Sequence, residues 1–110
     1  MISWEDFEKV DIRLGTIIKA EEFPEAKRPA YKVWVDLGTD LGVKKSSAQI
    51  TTVYKLEELI GKRVLAVVNF PPRQVGKFMS EILVTGFYRK EGEVVLATVD
   101  QDAPNGSRLL

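Results

Sequence analysis

The stretch Thr52-Val53-Tyr54-Lys55-Leu56-Glu57-Glu58-Leu59-Ile60-Gly61-Lys62-Arg63-Val64-Leu65-Ala66-Val67-Val68-Asn69-Phe70 sets a short helix immediately before a buried strand. Residues 52–60 read as the helix, with Glu57 and Glu58 as favourable charge in its first turn. Gly61 ends it, because glycine tolerates the left-handed conformation that closes many helices. The continuous apolar run at 64–68 predicts that the strand, residues 63–70, is covered on both faces.

Upstream of this helix the pattern has period two. Val10, Ile12, Leu14, Thr16 and Ile18 share one face of a first strand, with Asp11, Arg13, Gly15 and Lys19 on the other. Gly15 inside that strand suggests a bulge or sharp bend. Tyr31, Val33, Val35 and Leu37 alternate with Lys32, Trp34 and Asp36 in a second strand, and 38–42 forms a hairpin-like turn. A third, more polar strand covers 43–50, with Lys45, Ser47 and Gln49 on one face. Downstream, 80–88 and 93–99 read as fifth and sixth strands, and Pro104-Asn105-Gly106 as a closing turn. Ser3, followed by Asp6 and Phe7, reads as the N-cap of a short leading helix.

Three strands, a helix, then two strands is the connectivity of the OB-fold, a five-stranded Greek-key barrel. The fold class is therefore all-β with short helices, carrying extra elements at both termini that predict burial against a partner subunit. At 110 residues the chain reads as one domain, 1–110. It has neither histidine nor cysteine, which removes Ser-His-Asp and Cys-His machinery, disulfides, and thiolate or imidazole metal sites. Glu57 and Glu58 are sequence neighbours, so on a helix they point apart and make a poor acid/base pair. No glycine-rich phosphate loop is present. The expectation is no catalytic residue, no metal and no cofactor. No apolar run approaches the roughly 20 residues of a membrane span, and no signal peptide is visible, so no membrane insertion and a cytoplasmic location are expected.

Net charge is zero, but its distribution is uneven. Residues 26–78 hold ten bases against four acids, and both flanking segments are acidic. A basic middle can form a positive face on a neutral molecule. Within it, the loop Asn69-Phe70-Pro71-Pro72-Arg73-Gln74-Val75-Gly76-Lys77-Phe78-Met79-Ser80-Glu81 sets cations beside bulky apolar side chains. Single-stranded or looped nucleic acid asks for that combination. Lys32, Trp34, Lys45, Ser47 and Gln49 on the second and third strands join it as candidates, as do Asn69, Phe70, Arg73, Gln74, Lys77, Met79 and Ser80. The loop at Lys27-Arg28 lies beside them in an OB-fold. Each has a plainer reading. Phe70 and Phe78 fit a core, Asn69 a cap on strand-end backbone, and Trp34 a dimer contact or burial under the leading helix.

Asp11-Ile12-Arg13-Leu14-Gly15-Thr16-Ile17 resembles the opening strand of the tRNA-binding domain family. That OB module occurs in phenylalanyl- and methionyl-tRNA synthetases and in small free-standing tRNA-binding proteins. Tyr54-Lys55-Leu56-Glu57-Glu58-Leu59-Ile60-Gly61-Lys62-Arg63-Val64 is similar to its helix-to-strand segment. Lys44-Lys45-Ser46-Ser47-Ala48-Gln49-Ile50, the Asn69-to-Gln74 loop and Pro104-Asn105-Gly106-Ser107-Arg108 are similar to a dimeric, export-related chaperone branch of that family. The resemblance implies a homodimer, tRNA as partner, a role in holding unfolded or preprotein chains, and no enzymatic activity. Met79-Ser80-Glu81-Ile82 stands where the broader family has Ser-x-Gly-Met, so base contacts at that turn are not carried over.

Overall fold

The computed structural model describes all 110 residues. Its hub is β1 (Ile12–Glu22), which pairs antiparallel with β4 (Arg63–Val67) through its first half and with β2 (Tyr31–Asp36) through its second. β2 continues to β3 (Val43–Ala48), and β4 to β7 (Leu83–Val84), giving the order β3-β2-β1-β4-β7. The two ends of this sheet meet. The Glu81 N–H donates to the Lys45 carbonyl at 2.8 Å, the Lys45 N–H to Glu81 Oε1 at 3.1 Å, and the Ser47 N–H to Ser80 Oγ at 3.1 Å. The sheet is thus a nearly closed five-stranded antiparallel barrel of the OB type, as the strand order predicted.

One strand serves both neighbours because β1 carries a bulge. Its register against β2 shifts between Ile17 and Lys19, so Ile18 is the extra residue. The bulge bends the strand and increases its twist. It lies three residues beyond Gly15, where the sequence had suggested it. Gly15 has a different task. A Cβ there would overlap the Val35 side chain and come within 2.8 Å of Leu37 Cδ2 and 2.9 Å of the Asp36 carbonyl oxygen. Gly15 and Ile17 face the barrel interior, with Ile17 at 0% exposure, whereas Ile18 is 47% exposed. Leu14 is buried as well, but outside the cluster of Ile17, Tyr31, Val33, Val35, Leu37, Leu59, Val64 and Ala66 that fills the barrel.

Residues 52–60 do not form the expected helix. They contain one 3-10 turn, Leu56–Glu58. Lys55 is extended (φ −81°, ψ 149°), and its N–H donates to the Glu58 carboxylate at 2.6 Å, so helical geometry cannot begin before Leu56. Fully buried Leu59 still plugs the barrel, which is the part of the reading that the apolar spacing carried. The predicted fifth strand also divides. β7 closes the barrel, while β8 (Gly86–Tyr88) leaves it to pair with β9 (Val94–Leu96) as a separate hairpin. Residues 69–81, read as a loop, contain a hairpin of β5 (Arg73–Val75) and β6 (Phe78–Ser80) turned at Gly76 and Lys77.

The termini are tied to the barrel by polar contacts. Ser3 and Asp6 form a complete capping box on α1 (Trp4–Glu8), and these hydrogen bonds hold the Asp6 carboxyl below its ordinary range. The C-terminal tail runs beside the first half of β1, where β2 has turned away. Leu14 N–H donates to the Ser107 carbonyl, Gly106 N–H to Leu14, and Leu109 N–H to Ile12. The closing turn needs its glycine: Gly106 has φ +92°, and a Cβ would lie 2.6 Å from the Leu37 carbonyl oxygen. Arg63 reaches Asp102, the Ala103 carbonyl and Asn105, while Arg13 bridges Asp11 to the Gly106 carbonyl. The hydrogen bond from Arg13 is the main reason the Asp11 carboxyl lies below its usual range.

Candidate nucleic-acid interface

Between β3 and β7 the barrel wall is held by a few bonds near Lys45 and Ser47, and beyond them it opens. There lies a groove of about 930 Å³. Ser47, Gln49 and Ile50 form one side, continuing off the end of β3, and Ser80 to Gly86 form the other. Phe70, Pro71 and Arg73 close one end and Tyr88, Val94 and Leu96 stand across from them, with Arg28 at the rim. The Leu96 N–H donates to the Tyr54 hydroxyl at 2.9 Å and the Tyr31 hydroxyl to the Tyr54 carbonyl at 2.9 Å. These bonds tie the β8–β9 hairpin to the barrel, and burial raises the Tyr31 phenol above its ordinary range.

Five of the sequence candidates meet in this groove: Ser47, Gln49, Phe70, Arg73 and Ser80. Their polar atoms are not equally available. The Ser80 hydroxyl already accepts from Ser47 N–H and donates to the Ile82 carbonyl, and the Thr85 hydroxyl donates to the Leu65 carbonyl. Ser47 Oγ and the Gln49 amide make no hydrogen bond within the chain. Phe70 is 54% exposed.

Lys32, Trp34 and Lys45 lie elsewhere, on the outer face of β2 and β3. Lys19, Trp34 and Lys45 are register partners across three adjacent strands. The Lys19 ammonium sits 4.5 Å from the Trp34 ring, and Lys32 and Lys45 lie 5.5 Å and 5.2 Å from the ring of Phe78. Phe78 is core, as its plainer reading had it. At 9% exposure it is packed edge-on against Phe23 at 5.4 Å and Trp34 at 6.1 Å. This satellite cluster pins the β5–β6 hairpin to the barrel and so fixes where Arg73 stands. Trp34 is half-buried here rather than beneath the leading helix.

Gln74, Lys77 and Met79 are exposed on the same hairpin but do not line the groove; the Gln74 amide donates to the Gly76 carbonyl. Asn69 is spent on backbone. Its Oδ1 accepts from the Asp11 N–H at 3.0 Å and its Nδ2 donates to the Lys9 carbonyl at 2.7 Å, latching the N-terminal segment to the end of β4. Sequence reasoning passed over Tyr88 and the β7 wall, which it had placed in a plain fifth strand. The break at Gly86 was the available signal.

Charge follows the uneven sequence pattern. The five ion pairs draw on Lys9, Arg13, Lys19, Arg63 and Arg108. Of the ten bases between residues 26 and 78, only Arg63 is among them, so Arg28 and Arg73 at the groove are left without an acidic partner.

The family described as "Putative tRNA binding domain" matches residues 12–108. The methionine–tRNA ligase of Flavobacterium johnsoniae is 38% identical over 107 residues, covering 97% of this chain and 15% of that enzyme. The chain thus spans about a seventh of the length of the curated relatives it matches. The crystal structure of the CsaA chaperone protein from Picrophilus torridus superposes with a TM-score of 0.94 at 47% identity, covering all of both chains. That of chaperone CsaA from Bacillus anthracis gives 0.93 at 48% identity, covering 100% of this chain and 99% of the other.

Proposed function

The chain belongs to the tRNA-binding domain family, and from that premise we propose that it is a non-catalytic, cytoplasmic, homodimeric tRNA-binding protein of one domain. The observation that carries the reading is the groove between β3 and β7. It unites unpaired cations, Arg28 and Arg73, with free hydrogen-bonding groups on Ser47 and Gln49 and exposed rings on Phe70 and Tyr88. Cations meet phosphates, while exposed rings offer stacking surfaces. Lys32, Lys45 and Lys77 extend the positive surface from the groove over the outer face of β2 and β3 and onto the hairpin. Affinity for a tRNA pool should fall steeply with salt, because each phosphate contact releases bound counterions. With about three phosphates engaged, a fourfold rise in salt costs roughly tenfold or more. A gel-shift or anisotropy series checks this, and a pool that fails to bind even at low salt defeats the reading.

A second occupant has support of its own. The groove is also lined by Ile50, Leu83, Val84, Val94 and Leu96, a surface on which an extended unfolded or preprotein chain could lie. The structural likeness to chaperones speaks for it. Peptide held on apolar surface is nearly indifferent to salt, so suppression of client aggregation across the same salt series separates the two occupants.

The homodimer is supported by apolar side chains left bare toward the ends of the chain, among them Trp4, Phe87 and Leu110. Sedimentation at micromolar concentration is expected to give twice the chain mass. A monomer there would leave these side chains unexplained and remove the dimer.

A further inference from the structure

We propose that the β3–β7 groove is a site for one unpaired RNA nucleotide, with adenine the preferred base; this rests on the tRNA-binding reading and names the part of the RNA that enters. A groove of about 930 Å³ holds a nucleotide or two. It does not admit a double helix, whose bases are in any case sealed within the stack. The RNA element that fits is a base splayed out of a loop, bulge or end.

The groups left free by the fold decide how such a base would lie. Ser80 and Thr85 are spent on internal hydrogen bonds. Gln49 is not. Its side chain, its N–H and its carbonyl all lack partners within the chain, although it sits between buried Ala48 and Ile50. A free amide presents one donor edge and one acceptor edge, which is the complement of adenine N7 and N6. Ser47 Oγ, on the same side, is available to a ribose hydroxyl. Phe70 at 54% and Tyr88 at 84% exposure supply faces against which the base can lie. Glu81 contributes a carboxylate to the wall near Lys45, so the phosphate is driven away from it and toward Arg28 and Arg73.

The experiment uses the intact protein with three competitors against labelled tRNA: a short oligoadenylate, an oligouridylate of equal length, and a blunt RNA duplex of matched charge. Oligoadenylate should compete best and the duplex worst, by about tenfold or more. Gln49→Ala and Tyr88→Ala are exposed substitutions that leave the fold intact. Each should weaken oligoadenylate about tenfold while weak duplex binding stays unchanged. If the duplex competes as well as oligoadenylate, or if both variants bind oligoadenylate like the parent while tRNA is still bound, the nucleotide site is overturned and the tRNA reading stands. Equal competition by oligouridylate overturns the adenine preference. If no RNA binds at low salt, the broader reading falls and takes this one with it.

Discussion

Ile17→Ala is expected to lower stability by about 2–5 kcal/mol, and Ile18→Ala, one residue further along β1, by no more than about 0.5 kcal/mol. The two side chains are chemically identical and adjacent, so hydrophobicity alone cannot separate them. Ile17 is wholly buried and belongs to the barrel cluster, opposite Val35 in the register with β2. Truncating it removes buried methylenes and leaves a cavity, because the surrounding strands are tied by ladders on both sides and cannot collapse onto it. Ile18 is the bulge residue and is largely solvated. Domains of this size are stable by about 5–15 kcal/mol, so the first change removes a large share and the second almost nothing. Urea melts of the two variants provide the check. Equal losses, or a larger loss at Ile18, would mean that β1 presents its other face to the core.

The double variant Arg28→Ala/Arg73→Ala is expected to lower tRNA affinity about a hundredfold at low salt, with stability unchanged within about 0.5 kcal/mol. A hydrogen bond to a charged group contributes about 1.5–3 kcal/mol, and partial exposure at the rim brings each arginine to about tenfold. The two sit on different loops without a shared partner, so their losses should be close to additive. The dependence of log affinity on log salt should flatten by about one for each arginine removed. Neither side chain is in an ion pair, so removing it orphans no acid within the protein. Lys77→Ala, on the turn of the same hairpin but outside the groove, should have a smaller effect. Parent-like affinity and slope in the double variant would take this groove out of tRNA contact.

Much of the barrel was legible because it rests on short-range rules. Strict alternation at 31–37 put Tyr31, Val33, Val35 and Leu37 inward, and all four are buried. Ser3 and Asp6 announced their capping box through spacing alone. The site was legible in part. Ser47 and Gln49 lie at and just past the end of a strand whose outer face could be read, and Arg73 lies in a loop whose composition was unusual. Lys32, Trp34 and Lys45 share that composition, yet Phe78 turns back over the outer sheet and makes them the bed of the hairpin. Asn69 looked like a ligand for the same reason that it makes a good latch: one amide offers both donor and acceptor.

Element types, their order and the closing turn follow from neighbours within a few residues, where steric preference and apolar period act directly. That local information is sufficient for an OB barrel with a basic middle segment. Which face of β1 turns inward is another matter, since alternation is symmetric under a one-residue slip. Gly15 against Val35 and Leu37, and the bulge at Ile18, break that symmetry through contacts about 20 residues apart in the chain. The groove is set in the same way. It exists because β3 and β7 stop bonding beyond Ser47 and because β8 departs at Gly86, bringing Tyr88 opposite Phe70. Such placements are settled by how the sheet closes, a property of the whole barrel that no single segment carries.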